Sequence, residues 1–247
     1  MSESFSVVIP ARMASSRLPG KMLSRLAGKP VLQHVIERVR QVRLKPKVYV
    51  VTDSEEIVRL AQSMEVVGLM TSPDCTCGTE RIASVLEKIP GDIIFNVQGD
   101  EPFMDPRLME SMMEYARTMD ADVLMPLYEL KTVEAVWNPA IAKVVCDANG
   151  RALYFSRSPI PYVRDCEPSH WLEQNHFWGT FGIYGFRRES LEAYRHFSQS
   201  PCERAESLEQ LRWIANGYQI ATFRTENPPL SIDTAEDLKR AEAMFHS

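Results

Sequence analysis

The chain has 247 residues, of which 45% are hydrophobic and 25% charged, and these proportions exclude a disordered or collagen-like protein. Its 28 Lys and Arg residues and 33 Asp and Glu residues give a net charge of -5, which argues against a nucleic-acid backbone as the main partner. A local cluster of cations can still form a site for a small anion on an acidic protein.

The length predicts one domain, which we take as residues 1–247. We find no run of about 20 apolar residues that would span a bilayer, so no membrane contact is expected. The N-terminus lacks a basic segment followed by a long apolar one, and the five cysteines are scattered, with only Cys75 and Cys77 close together. We therefore expect a cytoplasmic protein with reduced thiols.

Apolar strands and amphipathic helices alternate over roughly the first 125 residues. The first strand is predicted to end at Pro10, because proline donates no ladder hydrogen bond. Helix caps are predicted at Asp53 or Ser54 and at Thr79, and Pro30 fits a first helical turn. The predicted strands cover 6–9, 48–51, 66–70 and 92–97, and the predicted helices start near residues 30, 55, 79 and 106. This order predicts a mainly parallel, Rossmann-like α/β sheet flanked by helices.

The pattern changes in the second half of the chain. Residues 142–146 and 152–155 flank a turn at 147–150, which predicts a β-hairpin, and 179–186 is predicted to be extended. Helices are expected over 203–215 and 237–245. We interpret residues 140–186 as a subregion inserted into the domain.

The loop after the first strand, residues 10–21, contains three cations: Arg12, Arg17 and Lys21. Ligands of open α/β sheets bind at the carboxyl ends of the strands, where this loop is expected. Its arginine forks, lysine and Gly20 suit the oxygens of a polyphosphate. The spacing matches neither a Walker A loop nor a glycine-rich dinucleotide motif.

Two aspartates are predicted at the same sheet edge. Asp100 follows the strand 92–97, and residues 231–234 are predicted to form a short strand that ends at Asp233. Two carboxylates beside phosphate oxygens are typical of a Mg²⁺ site. An ordinary turn acid is the alternative for either residue taken alone.

Eight blocks, in this order along nearly the whole chain, carry a resemblance to a known family. They read VVIPARMASSRLPGKML, AGKPVLQHV, GTERI, NVQGDEP, ALYFSRSPIPY, FGIYGFRR, AESLEQLR and IDTAEDL. The sequence resembles the 3-deoxy-manno-octulosonate (Kdo) cytidylyltransferases, or CMP-Kdo synthetases. The resemblance implies a nucleotide-diphospho-sugar transferase fold with an inserted hairpin for dimerisation. It also implies Mg²⁺-dependent transfer of CMP from CTP to a sugar acid, with release of pyrophosphate, by a homodimer.

The resemblance also implies roles for individual residues. Arg12, Lys21, Asp100 and Asp233 would be catalytic, with the two aspartates as Mg²⁺ ligands. The residues implied to bind the nucleotide are Pro10, Ala11, Arg12, Ser15, Ser16, Arg17, Lys21, Gly78, Thr79 and Arg81. Those implied on the acceptor side, within residues 140–186 and beyond, are Gln98, Arg157, Thr180, Tyr184, Glu206 and Gln210.

Three positions depart from the family pattern. Cys77 stands in place of a serine, Thr180 in place of a histidine and Ser231 in place of a glycine. Two of these changes lie on the acceptor side, so a modified acceptor (another 2-ulosonate, amino-Kdo or a small phosphonate) is an alternative to Kdo. The alternative from another class is a nucleotide-binding module without catalysis.

Overall fold

The structure is a computed structural model, and it describes residues 4–15, 17–226 and 230–245. The strands in chain order are β1 (Phe5–Ala11), β2 (Arg25–Leu26), β3 (Lys29–Pro30), β4 (Lys47–Thr52), β5 (Val67–Met70), β6 (Ile93–Val97), β7 (Val123–Glu129), β8 (Ala142–Cys146), β9 (Ala152–Ser156), β10 (Trp178–Thr180), β11 (Ile183–Arg187) and β12 (Ile220–Arg224). The helices are α1 (Val31–Arg40), α2 (Glu55–Ser63), α3 (Gly78–Ala83), α4 (Pro106–Ala116), α5 (Val133–Trp137), α6 (Trp171–Gln174), α7 (Arg188–Tyr194), α8 (Pro201–Glu206), α9 (Gln210–Ala215) and α10 (Ala235–Phe245).

The chain divides into two compact units. The first contains Met1–Arg117, Gly185–Arg195 and Pro229–Ser247, and the second contains Thr118–Tyr184 and His196–Pro228. The prediction of a single domain over 1–247 stays a prediction. No helix within the described part of the chain has the length and apolar composition needed to cross a membrane.

The first unit is built on parallel strands. β1 pairs with β4 on one side and β6 on the other, and β4 pairs with β5, all in parallel. Val7, Val8, Ile9 and Ala11 of β1 are completely buried. The apolar residues on the inner face of α1 are completely buried as well, so the predicted helical spacing does identify the core face. Met109, Met112 and Met113 of α4 are also completely buried. The prediction of a mainly parallel α/β fold is confirmed.

The second unit has a mixed sheet. β7 pairs in parallel with β12 and antiparallel with β10, while β8 pairs antiparallel with both β10 and β9. The predicted hairpin 142–146/152–155 is confirmed as β8 and β9. Its turn is held by Asp147, whose Oδ1 accepts from the backbone N–H groups of Asn149 and Arg151 at 2.8 Å each, and Gly150 has a φ of 76°. Strands β7 and β12 were missed by the sequence pattern.

Three predicted boundaries are wrong. β1 does not stop at Pro10, because pairing continues through Pro10↔Val51 to Ala11↔Thr52 and the Pro10 carbonyl accepts from the N–H of Gly99 at 3.3 Å. The helix predicted over 203–215 is two helices, because Ser207 adopts a left-handed φ of 51° that ends α8. The extended stretch predicted over 179–186 is interrupted between β10 and β11.

Candidate active site

A cavity of about 280 Å³ lies at the carboxyl ends of β1 and β6 in the first unit. This volume is near the lower end for small-molecule sites. Its position agrees with the rule that open α/β sheets bind ligands at this edge. The lining residues are Pro10, Ala11, Arg12, Ser15, Arg17, Lys21, Met22, Cys75, Thr76, Cys77, Gly78, Arg81, Gln98, Asp100 and Asp233.

Lys21 is the central charged group of this cavity. Its side chain is buried, and its Nζ donates to Asp100 Oδ2 at 2.5 Å and to Asp233 Oδ1 at 3.0 Å. Arg17 Nη2 lies 2.9 Å from the same Asp233 oxygen. Burial acts to lower the pKa of Lys21, but the two carboxylates outweigh it, so the pKa is raised. Lys21 is therefore a charged ammonium that both aspartates surround.

The backbone before α10 brings Asp233 to Asp100. The Ile232 N–H donates to the Asp100 carbonyl at 2.9 Å, and Ser231 Oγ donates to Glu101 Oε1 at 2.6 Å. Residues 230–233, all of them described, form no strand, so the predicted strand ending at Asp233 is wrong. Asp233 nevertheless lies close to Asp100, because these two hydrogen bonds join Ser231 and Ile232 to the loop after β6. Ser231, a departure from the family pattern, supplies one of them.

Thr234, which directly precedes α10, and Asp237 in its first turn cap the helix reciprocally. The Thr234 hydroxyl accepts from the Asp237 N–H at 3.1 Å, while Asp237 Oδ2 accepts from the N–H groups of Thr234 and Asp233 at 2.9 and 3.1 Å. The position of Asp233 is therefore fixed from both sides.

Two glycines allow segments of the site to approach closely. A Cβ at Gly78 would lie 2.7 Å from Gln98 Nε2 and 3.1 Å from Pro10 Cγ. A Cβ at Gly99 would lie 2.8 Å from Met22 Sδ. Gln98, implied on the acceptor side, therefore contacts Gly78, a residue implied to bind the nucleotide.

Cys77 caps α3. Its Sγ accepts from the Glu80 N–H at 3.4 Å, and it also lies 3.5 Å from Tyr194 Oη. The prediction of Thr79 as the cap is wrong, because α3 begins one residue before Thr79, whose side chain is buried in the helix. The cap also gives the Cys77 side chain a role within the protein itself.

Arg81, which lines the cavity, forms an ion pair with Asp53, which lies behind the lining. Arg81 Nη2 lies 3.4 Å from Asp53 Oδ2, with 4% and 12% of the two side chains exposed. The sequence predicts Asp53 only as one of two possible caps for α2, and the N-cap is the other, Ser54. Its carboxylate instead accepts from the backbone N–H of Met13 at 3.1 Å. The position of Asp53 at the end of an apolar strand is the signal that could have identified it.

The structure gathers most of the residues implied to bind the nucleotide into one cavity. Thr79 is the exception among those described, because it does not line the cavity, and Ser16 lies outside the described residues. Cys75, Thr76 and Met22 line the cavity without having been predicted. Those in the cavity are Pro10, Ala11, Arg12, Ser15, Arg17, Lys21, Gly78 and Arg81.

Arg157 and Glu206, both implied on the acceptor side, are joined by hydrogen bonds within the second unit. Glu206 accepts from the Arg157 N–H at 2.8 Å and from Ser156 Oγ at 2.7 Å. The guanidinium of Arg157 donates to the main-chain carbonyls of Glu206, Pro139 and Ser207. This arginine therefore holds two backbone segments, at Pro139 and at residues 206–207, and its contact with an acceptor stays a prediction.

The other acceptor-side residues of the second unit are buried. Thr180 Oγ1 donates to the Pro126 carbonyl at 2.9 Å, and Tyr184 and Gln210 are 7% and 3% exposed. His176, which lies near the position of the expected histidine, is an exposed residue that pairs with Glu129. Roles for Thr180, Tyr184 and Gln210 in acceptor binding stay predictions.

The donor set for a metal consists of Asp100 and Asp233. Within residues 4–15, 17–226 and 230–245, no group of three or more His, Cys, Asp or Glu residues is arranged to hold a metal ion. Two carboxylates do fit Mg²⁺, which prefers one or two of them together with phosphate oxygens and water. Both carboxylates already converge on one cation, the ammonium of Lys21.

A family model described as cytidylyltransferase matches residues 6–227. The chain is 38% identical over 252 residues to the 3-deoxy-manno-octulosonate cytidylyltransferase of Porphyromonas gingivalis, covering all of this chain and 98% of that one. It is 41% identical over 249 residues to the protein of the same name from Polynucleobacter asymbioticus, covering 98% and 95%. The chain belongs to the 3-deoxy-manno-octulosonate cytidylyltransferase family. The protein is thus a nucleotidyltransferase.

Solved structures agree with this assignment. The cytidylyltransferase superposes with a TM-score of 0.90 on a CMP:2-keto-3-deoxy-manno-octonic acid synthetase complexed with CTP, at 37% identity and 98% coverage of both chains. A putative glucose-1-phosphate thymidylyltransferase from Bacillus anthracis gives a TM-score of 0.69 at 14% identity, covering 98% and 95% of the two chains. This second similarity shows that the fold is shared among nucleotidyltransferases.

Proposed function

We propose that this protein transfers CMP from CTP to Kdo and releases pyrophosphate. One observation carries the proposal: the buried Lys21 lies between Asp100 and Asp233 in a cavity that Arg12, Arg17 and Arg81 also line. Cations for a triphosphate and a pair of carboxylates for its metal are the groups that nucleotidyl transfer needs.

The reaction is an in-line displacement. The anomeric hydroxyl of Kdo attacks the α-phosphorus of CTP; the new bond joins this oxygen to phosphorus, and the bond from phosphorus to the bridging oxygen breaks. The electron pair of that bond leaves with pyrophosphate, and the hydroxyl proton passes to solvent. Such a transfer depends on positioning and on charge stabilisation, so no covalent nucleophile of the protein is needed.

The basic residues of the cavity would bind the phosphates. Arg12 is exposed and lines the cavity, and it would bind phosphate oxygens with its planar fork. Lys21 would stabilise the negative charge that develops on the departing pyrophosphate. Asp100 and Asp233 would hold Mg²⁺, which polarises phosphate oxygens and lowers the pKa of a bound hydroxyl.

The base of CTP would lie near α3. Gly78 brings the backbone of α3 close to Pro10 and to the amide of Gln98. Backbone groups of Pro10 and Ala11 and the side chain of Gln98 would offer the base hydrogen-bonding partners there, since all three residues line the cavity.

A modified acceptor is the second candidate, and Thr180 favours it. The family pattern has a histidine at the position of Thr180. Here the Thr180 hydroxyl donates to the Pro126 carbonyl. This threonine therefore offers no cationic donor to a sugar carboxylate. The other candidate acceptors are a second 2-ulosonate, amino-Kdo and a small phosphonate.

The experiment is pyrophosphate release from CTP and Mg²⁺ across a panel of acceptors that contains Kdo. Turnover with Kdo at the highest kcat/KM supports the proposal. Turnover with another acid and none with Kdo would replace Kdo by that acceptor, and CTP binding without turnover on any acceptor would favour the non-catalytic module.

We also propose that the protein is a cytoplasmic homodimer. The five cysteines, all of them within the described residues, form no disulfide, which fits a reducing compartment. Within residues 140–186, the region expected to form the dimer contact, Leu153 and Tyr162 expose 56% and 75% of their surface. Large exposed apolar side chains of this kind fit a protein interface.

A further inference from the structure

Asp53 follows β4 at the same sheet edge as the cavity, but it does not line the cavity itself. One carboxylate oxygen accepts from the Met13 N–H at 3.1 Å, and the other lies 3.4 Å from Arg81 Nη2. Only 12% of the Asp53 side chain is exposed. A carboxylate in this position strengthens both contacts, because hydrogen bonds to a charged acceptor are about twice as strong as neutral ones.

Arg81 extends this connection to a third segment. Its Nη1 donates to Thr71 Oγ1 at 2.5 Å and to the Ser72 carbonyl at 3.2 Å. Thr71 and Ser72 begin the loop that leads to Cys75, Thr76 and Cys77, all of which line the cavity. Three acceptors thus hold the guanidinium of Arg81, and 4% of this side chain is exposed.

Met13 directly follows Arg12, which lines the cavity. A hydrogen bond to the Met13 N–H fixes the peptide plane that joins the two residues, and so it limits the directions in which the Arg12 side chain can leave the backbone. The same carboxylate neutralises the buried Arg81. Asp53 therefore joins the basic loop, α3 and the 71–77 loop at one point.

We propose that Asp53 is a positioning residue for the nucleotide. It holds Arg12 and the 71–77 loop in the geometry that binds CTP, without touching the nucleotide. This inference rests on the proposed function, because it assigns the cavity to CTP. It predicts a change in the affinity and KM for CTP and none in the KM for the sugar acid. The reason is that Met13 and Arg81, which Asp53 contacts, belong to segments of the first unit that form the cavity.

The test compares Asp53→Asn and Asp53→Glu with the wild type. The asparagine keeps an acceptor for the Met13 N–H but removes the charge opposite Arg81, while the glutamate keeps the charge and displaces the acceptor. We expect kcat/KM for CTP to fall about 10²-fold in Asp53→Asn, the scale of a misplacement of about 1 Å. We expect a smaller fall in Asp53→Glu. The KM for the sugar acid should stay unchanged, which a general loss of structure would not produce.

Asp92→Asn is the matched control. Asp92 also accepts a backbone N–H and a side-chain donor, both from Ser4 at 2.8 and 2.9 Å, but it precedes β6 at the opposite end of the strand. Its variant should bind CTP as the wild type does, measured by titration calorimetry on protein shown to be folded by circular dichroism. Wild-type CTP affinity and KM in either folded Asp53 variant would overturn the inference alone. Absence of CTP binding by the wild type would overturn the proposed function.

Discussion

Lys21 Nζ lies 2.5 Å from Asp100 Oδ2, and the same nitrogen lies 3.0 Å from Asp233 Oδ1. A buried lysine thus occupies the point on which two carboxylates converge. Leaving the buried ammonium of Lys21 unpaired would be costly, which explains why the three groups are found together. The same point is where the two aspartates would hold Mg²⁺.

Removing Lys21 should make the aspartates available to a divalent cation. In nucleotide-free protein, Lys21→Met should bind Mn²⁺ about tenfold more tightly than the wild type, because a like charge at contact distance is lost. Electron paramagnetic resonance of free Mn²⁺ measures this affinity. Lys29→Met, which removes the exposed partner of Glu37, is the control and should not change it. Equal affinities in Lys21→Met and the wild type would contradict the assignment of the aspartates to a metal.

Asp100→Asn should reduce turnover by at least about 10²-fold while CTP binding remains measurable. The amide is a poorer ligand for Mg²⁺ and leaves one carboxylate where the wild type has two. Pyrophosphate release gives the rate, and titration calorimetry gives the affinity for CTP. Retention of the wild-type rate would exclude a role for Asp100 in metal binding.

CTP should protect Cys75 and Cys77 from alkylation. Both cysteines line the cavity, whereas Cys202 is exposed on α8 in the second unit. Iodoacetamide labelling followed by peptide mass spectrometry, with and without CTP, measures all three positions in one sample. The label on Cys202 should not respond to CTP and serves as the internal control. Equal labelling of Cys75 and Cys77 in both conditions would mean that CTP binds elsewhere.

The stability contribution of Glu110 should disappear in acid. The side chain of Arg43 and its backbone N–H both donate to Glu110, at 2.9 and 2.7 Å, and they hold its pKa below the usual 4.5. A lowered folded-state pKa stabilises the protein above pH 4.5, and this stabilisation is lost as the pH falls through the folded-state value.

The variant Glu110→Gln should therefore lower the urea midpoint at pH 7 and match the wild type increasingly well below pH 4.5. Glu114→Gln changes an exposed residue of the same helix and is the control. A difference between Glu110→Gln and the wild type that does not depend on pH would contradict the role of the ionised carboxylate.

The double variant Leu153→Asp/Tyr162→Asp should convert a dimer into a monomer. Two buried charges at an apolar interface would cost more than the contact contributes. Size-exclusion chromatography with light scattering gives the mass directly. Leu44→Asp alters an exposed leucine of the first unit, outside 140–186, and should leave the mass unchanged. A dimer that survives the double variant would locate the interface elsewhere.

The amino-acid pattern predicted the parallel half of the fold well, because buried parallel strands and amphipathic helices have distinct periods. Pro10 shows the limit of this reasoning. A missing N–H ends a strand only where a partner needs that donor, and the pairing of β1 does not need it. The left-handed Ser207 likewise carries no signal in a helical pattern, since serine rarely adopts a positive φ.

The lining of the cavity was predictable where residue type and chain position agree, as for Lys21 and Asp100. Asp233 was placed correctly although its predicted strand does not exist, because a backbone hydrogen bond to Asp100 performs the same task. Asp53 was not predicted as part of the site, because its partners, Met13 and Arg81, are 40 and 28 residues away along the chain. Contacts of this kind become visible only in the folded protein.

The most direct test of the account is the product of the reaction. ³¹P nuclear magnetic resonance of the protein with CTP, Mg²⁺ and Kdo should show CMP-Kdo and pyrophosphate appearing in equal amounts as CTP disappears. The same mixture without Kdo should keep its CTP. Consumption of CTP that does not depend on Kdo, or a stable mixture of CTP and Kdo with folded protein, would contradict the proposed function.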